Sequence, residues 1–456
     1  VIRTNRIVRL QPRESSFRFA VDAFRAVRLD DCLNALHTRT DPEAATLRGR
    51  ALLRLNQPGA AVDELCAIDD ARLPGRIRIE LRTIAAAALA RAGRRDEGRK
   101  ALDEVRASAY SSGAELAAEF EYFDAFWHFT SGDEGQVRAA ITRGLGTDSS
   151  LGTSESHVYS LQAIRARFLA LLGALESTRE DYPLQAQFLR EALDGLDRSD
   201  VPDVWSEANF TYNLAVLVRD LDLEGVQFIR GRLNSLQRTS YLANFVYGTL
   251  RSLGWCSALS GDHLSAFRDF REASTVAITP CSKLLATVDR VLVAQGLNQQ
   301  LTAHEELERA QDLATRIDWE RIDGDGRSAL LFLAQALAPQ RARAARVMLE
   351  RYQRIRSKYS PTSLASLDRR LRADEIFTEG VVARAEGNDG AAVRALLDAF
   401  EIWKAIGYRW RAALAAIELT SLTKDSRYAG YAAAEAAKRP ASWLAERLRA
   451  ATGTSS

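Results

Sequence analysis

Residues Ser257–Phe267 read SALSGDHLSAF, and the Gly-Asp pair at their centre decides how the surrounding chain folds. On both sides apolar residues recur at three- and four-residue intervals, so each flank has the pattern of an amphipathic helix. Gly261 is where the first helix can end, because glycine enters the left-handed region without a Cβ penalty. Asp262 then offers a carboxylate to the free N–H groups that open the second helix. The stretch reads as the turn of a helical hairpin.

The same arrangement recurs along the chain. A small residue, Gly254, lies seven positions before Gly261, with Ala266 five and Phe270 nine positions after it. The same offsets give Ala86, Gly98 and Leu102 around Gly93, and Ala125, Val137 and Ile141 around Gly132. They give Gly380, Ala392 and Leu396 around Gly387, and Gly49, Ala61 and Leu65 around Asn56. The first small residue lets two helices approach closely, the second lies where they cross, and the large apolar residue fills the space between them. Asp262, Asp96, Asp133 and Asp389 are the expected caps of the second helices.

This pattern resembles the tetratricopeptide repeat, a helix-turn-helix unit of about 34 residues. The leading small positions, 49, 86, 125, 254 and 380, are separated by 37, 39, 129 and 126 residues. Each long gap divides into three units, of 43 or 42 residues. Further hairpins are therefore expected near Phe168–Leu172, Tyr212–Val218, Ala294–Leu297 and Leu330–Leu337. The expected fold is all-α, an α-α superhelix of about ten or eleven tetratricopeptide-like hairpins forming one solenoid over residues 1–456. A loop is expected at Gly144–Ser156 and a hinge near 357–366, around Pro361.

Composition agrees with a folded array: 46% of the 456 residues are hydrophobic and 27% are charged. The formal net charge of +2 argues against a broadly basic nucleic-acid surface. Cys32, Cys66, Cys256 and Cys281 form no C-x-x-C pair and read as thiols of a reducing compartment. The opening VIRTNRIVRLQPRESS has no apolar signal region, and no apolar run approaches the ~20 residues of a membrane span. A cytoplasmic protein with no membrane partner is expected.

The search for chemistry is short. None of the lysines follows a glycine, so no G-K-[ST] phosphate loop exists, and no G-x-S-x-G elbow occurs. His304 in HEEL lacks the second histidine of a zinc-protease helix, and His128 in FWHF reads as a helix-packing residue. DGDG at Asp323–Gly326 lacks the terminal Glu of a calcium loop and reads as a plain loop. No catalytic residue, cofactor or metal ligand set is expected. The segment Arg341–Lys358 is locally basic and reads either as a solvated helix face over Leu349, Tyr352 and Ile355 or as an acidic-partner patch. The aromatic residues of Phe120–Phe129, with Trp205, Tyr212, Trp403 and Trp410, read either as core or as the lining of a ligand groove.

At the C-terminal side, AAEAAKRPASWLAERLRAATGTSS resembles the close of the repeat region in large bacterial LuxR-type transcription regulators. That resemblance implies a regulatory region whose DNA-binding module, absent from this chain, would lie beyond residue 456. The expected function is non-catalytic recognition of a protein, a peptide or a small effector, with a second copy of the chain as a further candidate partner. The alternatives are a general assembly scaffold and an enzyme with an unrecognised site. In EANFTYNLAVLVRDLD, Phe210, Leu214, Leu217 and Leu221 form the core stripe, and Asn209, Asn213, Val216 and Asp220 form the neighbouring one. Asn209 and Asn213 read either as caps or bridges to the adjacent repeat or, with Tyr212 and led by Asn213, as the contact for a ligand or partner, because an amide both donates to and accepts from a peptide backbone.

Overall fold

The computed structural model describes residues 12–147, 158–221, 224–236, 239–320, 322, 324–356 and 365–453. Among these residues there are twenty-three α-helices and no strand. The chain divides into two compact units, Val1–Leu175 with Gln187–Phe210 and Glu176–Ala186 with Thr211–Ser456. Most of the expected hinge, residues 357–364, and much of the expected loop, residues 148–156, lie outside the described residues.

The first unit holds α1 (Pro12–Arg25), α2 (Leu29–Leu36), α3 (Pro42–Arg54), α4 (Pro58–Cys66), α5 (Gly75–Arg91), α6 (Arg95–Ala109), α7 (Ala114–Ser131), α8 (Glu134–Leu145) and most of α9 (Leu161–Ser177). Two helices, α10 (Tyr182–Asp197) and α11 (Val204–Leu221), have residues in both units. The second unit continues with α12 (Val226–Ser235), α13 (Ala243–Ser260), α14 (His263–Val276), α15 (Pro280–Gly296), α16 (Gln300–Thr315), α17 (Gly324–Leu337) and α18 (Ala342–Arg356). It ends with α19 (Ala365–Ala385), α20 (Asp389–Ala405), α21 (Arg409–Thr423), α22 (Ser426–Ala437) and α23 (Trp443–Thr452). Among the described residues nine consecutive pairs pack against each other, α1 with α2 through α7 with α8 and α13 with α14 through α21 with α22. Helices α9, α11, α15 and α17 lie at the places expected for first arms in the long gaps.

The turns explain the pairing. Gly93, Gly132, Gly261 and Gly387 all have positive φ, as does Asn56. Val27, Glu180, Asn298 and Lys424 occupy the same left-handed conformation between α1 and α2, α9 and α10, α15 and α16, and α21 and α22. The next residue is the cap in five of these turns. Asp133, Asp181, Asp262 and Asn388 accept from the amides of Gln136, Leu184, Ser265 and Ala391 at 3.1, 3.1, 3.1 and 3.2 Å, and Asp425 accepts from that of Arg427 at 2.8 Å. Asp96 and Asp389 are not caps. They lie in the first helical turn, and the N-cap positions are Arg94, whose side chain makes no capping bond, and Asn388. The chain geometry sets the cap immediately after the left-handed residue, one or two positions before those aspartates. DGDG also differs from expectation: Gly324, Asp325 and Gly326 open α17, while Asp323 lies outside the described residues.

First and second arms have different environments. Helix α5 gives Leu81, Ile84 and Ala88 to a core shared with α3 and α4. Its Ile79 and Ala86 join a second core with Leu102, Leu116 and Phe120. A first arm is thus covered on two sides, while a second arm such as α6 buries one stripe and exposes the rest. The template positions Ala266, Phe270, Ala392 and Leu396 are all buried. Charges also enter the first unit. Asp203 receives Arg167 at 2.7 Å and Arg54 at 3.4 Å, and Arg50 reaches Glu119 at 2.7 Å and Glu80 at 3.0 Å.

Candidate ligand-binding site

In the second unit the first arms meet around a polar cleft of about 200 Å³. Helix α11 gives Tyr212, Val216, Arg219 and Asp220, α13 gives Tyr247, Arg251 and Ser252, and α17 gives Asp325, Ser328 and Phe332. Arg370 and Asp374 come from α19, Trp403 from α20, and Tyr408 and Arg411 from the start of α21. Within each long first arm these residues recur at three- or four-residue spacing, so each helix turns one face to the cleft. The Tyr212 ring lies against the backbone of Gly248, a position where any side chain would collide with it.

Four guanidinium groups line the cleft, and three are matched by carboxylates. Arg219 grips Asp220 through Nε at 2.6 Å and Nη2 at 2.7 Å. Arg251 pairs with Asp289, which also accepts from Trp255 Nε1 at 2.9 Å. Arg411 donates to Asp374 at 2.6 Å. Arg370 instead donates to the Tyr408 hydroxyl oxygen at 2.8 Å, and among the described residues it has no carboxylate partner. Burial pushes Asp220 upward, but the Arg219 guanidinium outweighs it and holds the carboxyl below its ordinary value. Burial lifts Asp374 above its ordinary value, with Arg411 offsetting only part. Burial also raises Tyr247 well above the usual phenol range. Three buried polar atoms of the lining, Tyr247 Oη, Ser252 Oγ and Arg370 Nε, have no hydrogen-bond partner among the described residues.

A second cleft of about 720 Å³ lies in the same unit. Its walls include Trp255, Leu292, Trp410, Leu414 and Trp443, with Gln295, Gln335 and Glu418 among its polar residues. Trp255 stacks on Trp410 with ring centroids 5.5 Å apart, and Trp443 meets Trp255 edge-on at 5.3 Å. Among the described residues the buried Trp410 Nε1 has no partner. Phe332 and Arg411 line both clefts.

Of the expected contact residues, Tyr212 lines the polar cleft, as do Val216 and Asp220 of the stripe beside it. Asn209 and Asn213 are half-buried on the same helix and are not among the lining residues. Trp403 and Trp410 belong to cleft walls, whereas Phe120 is core. The arginines were the missed signal: Arg219, Arg251, Arg370 and Arg411 interrupt otherwise apolar faces of first arms. His128 is half-buried, 3.8 Å from Asp124. Arg341, Arg346 and Arg356 of the basic segment pair with Glu308, Glu386 and Glu375, while Leu349, Tyr352 and Ile355 are buried. Among the described residues no three His, Cys, Asp or Glu side chains group as a metal would need, and no helix is long and apolar enough to cross a membrane.

The successive hairpins define an all-α protein of tetratricopeptide-like helical repeats. No protein-family model matches the chain, and no curated protein does. Among solved structures it is similar to yeast Tom70, at 11% identity over 97% of this chain and 96% of that one, with a TM-score of 0.40. It is also similar to a Rap protein complexed with competence and sporulation factor, at 12% identity over 86% and 99%, with a TM-score of 0.41. A human IFIT1 dimer with PPP-AAAA matches at 13% identity over 97% and 99%, with a TM-score of 0.45. At these identities and scores the likenesses add nothing to what the helix pairing already shows.

Proposed function

We propose that the chain is a non-catalytic binding module whose polar cleft takes the charged or polar part of a protein segment, a peptide or a small effector. The supporting observation is the set of unpartnered buried groups, Tyr247 Oη, Ser252 Oγ and Arg370 Nε, facing a cleft rich in arginine. A buried polar group left unpaired costs about 1–3 kcal/mol, so three lining one cleft favour a ligand that pairs with them. Tyr212 contacts that ligand, and the amides of Asn213 and Asn209 hold the backbone of a longer partner. The test is a thermal-shift screen of peptides and polar metabolites, repeated with Arg370→Ala and Asn213→Ala. A stabilising compound whose effect disappears in Arg370→Ala is expected. Hits unaffected by Arg370→Ala remove the cleft from consideration, and hits unaffected by Asn213→Ala remove that amide.

A scaffold reading has its own observation. Leu264 and Leu301 are 86% and 74% exposed, each three residues past a left-handed turn residue, Gly261 or Asn298. Repeated exposed leucines suit contact with a protein or with a second copy of the chain. Light scattering of the Leu264→Glu, Leu301→Glu double variant tests this, since an assembly built on these residues dissociates. The finer regulatory reading rests on the LuxR-type resemblance of residues 433–456. A helix-turn-helix coding stretch beyond the codon for Ser456 is its expected correlate, and a stop codon there counts against it.

A further inference from the structure

We infer that the two clefts of the second unit are the halves of one site, and that its ligand is an amphiphilic monoanion: a carboxylic acid with a long apolar tail. This rests on the binding-module reading and names the ligand class. The head group follows from charge matching. Arg219, Arg251 and Arg411 each have a carboxylate, in Asp220, Asp289 and Asp374. Among the described residues Arg370 hydrogen-bonds only to the Tyr408 oxygen, and its buried Nε is unpartnered. Asp220 offsets the Arg370 charge through space without touching it, and the planar fork with its free Nε–H fits a carboxylate. Asp325, which accepts from Ser282 at 2.6 Å, lines the same cleft and disfavours a second negative charge. A carboxylate therefore fits better than a phosphate dianion.

The tail follows from the adjoining cleft. Its size is that of a small-molecule site, and Trp255, Leu292, Leu414 and Trp443 give it an apolar wall facing polar residues such as Gln295, Arg384 and Glu418. Phe332 and Arg411 line both clefts, so the two adjoin at these side chains. The Arg411 guanidinium packs over the Trp410 ring at 4.8 Å and near the Phe332 ring at 5.7 Å, and Asp374 holds it in place. A flexible chain lying along Phe332 puts its carboxylate at Arg370 and its tail among the tryptophans. A short polar ligand would leave the second cleft wet, and a neutral lipid would leave the Arg370 Nε–H without a charged acceptor.

The experiment titrates the whole chain with sodium dodecanoate, dodecanol and sodium acetate, each below aggregation, by calorimetry and tryptophan fluorescence. Dodecanoate is expected to bind about tenfold more tightly than dodecanol, the scale of one charge-assisted hydrogen bond, with acetate undetected. Arg370→Ala should bring dodecanoate to the level of dodecanol and leave dodecanol unchanged. Ala451→Trp, on the wall of the second cleft, should weaken both while thermal melts show a folded chain. Equal binding of acid and alcohol to the unaltered chain overturns the inference, as does an equal loss of both in Arg370→Ala or tight binding of acetate. If no amphiphile binds but a peptide or metabolite stabilises the chain and not Arg370→Ala, the amphiphile falls and the binding module stands. If nothing binds through Arg370, both fall.

Discussion

Phe270 packs against Gly254 so closely that a Cβ on Gly254 would lie 2.6 Å from the ring. The ring is fully buried on α14, so it has little room to move away. Gly254→Ala gains up to about 1 kcal/mol in helix propensity but forces a core shift costing about 1–3 kcal/mol. Net destabilisation is expected from the urea midpoint. Gly49→Ala should cost a similar amount, because its Cβ would lie 2.7–2.8 Å from three atoms of the likewise buried Leu65 side chain. Ala266→Leu and Ala392→Leu, at fully buried crossing positions, should each cost about 1–3 kcal/mol.

Caps separate from first-turn acids. Asp262→Ala and Asp133→Ala each remove a hydrogen bond to a free helix amide and should cost about 1 kcal/mol. Asp96→Ala and Asp389→Ala lose only a favourable charge near the helix start, about 0.3–1 kcal/mol at low salt and less as salt rises. Melting the four variants at two salt concentrations checks the ranking.

Asp203 links stability to pH. Burial pushes its carboxyl up, but Arg167 and Arg54 outweigh that and hold it below the ordinary aspartate value. The folded chain therefore binds this proton less readily than the unfolded chain does. The stabilisation is complete above about pH 3.9, the ordinary value, and is lost as pH falls through the lower folded value. Asp203→Asn leaves two buried guanidinium groups uncompensated and should cost about 3–5 kcal/mol at pH 7. The gap between the two proteins should narrow below about pH 4. A gap that is absent at pH 7, or constant down to pH 3, contradicts this account.

DNA binding by this chain alone should be weak and without sequence preference. Three arginines of the basic segment are already paired with glutamates, and the net charge is only +2. Affinity at physiological salt should fall in the non-specific range, on the order of 10⁻⁴ to 10⁻⁶ M. Tight, sequence-selective retention in a gel-shift titration contradicts it.

The glycine turns and their small and large partners were legible because each rests on a local steric rule, as Gly254 and Phe270 show. Val27, Glu180 and Lys424 carry no such mark. A side chain there is left-handed at a steric cost, and packing elsewhere in the hairpin sets the turn. Asp96 and Asp389 were misread because composition shows that an acid is near a turn, while the exact residue that caps depends on where φ changes sign. The polar cleft was legible in the α11 residues Tyr212, Val216 and Asp220 and in Trp403. Its arginines come from α11, α13, α19 and α21, far apart in sequence, and a single arginine in a helix usually reads as surface.

Trp443 on α23 donates to the carbonyl of Leu292 at 3.2 Å, across 151 residues of chain, and its indole sits in the notch left by Gly296. Helix α23 thereby touches α13 and α15 as well as α21 and α22. In a repeat array with nearest-neighbour contacts alone, folding can start anywhere and the end hairpins can fray singly. Here α23 cannot come away without uncovering Trp255 and the backbone of α15. Closing so long a loop costs entropy before its contacts form, which slows the rate-limiting step. The second unit should therefore refold slowly and melt in a single transition, and deleting residues 438–456 should lower the stability of α13 and α15 along with that of their C-terminal neighbours.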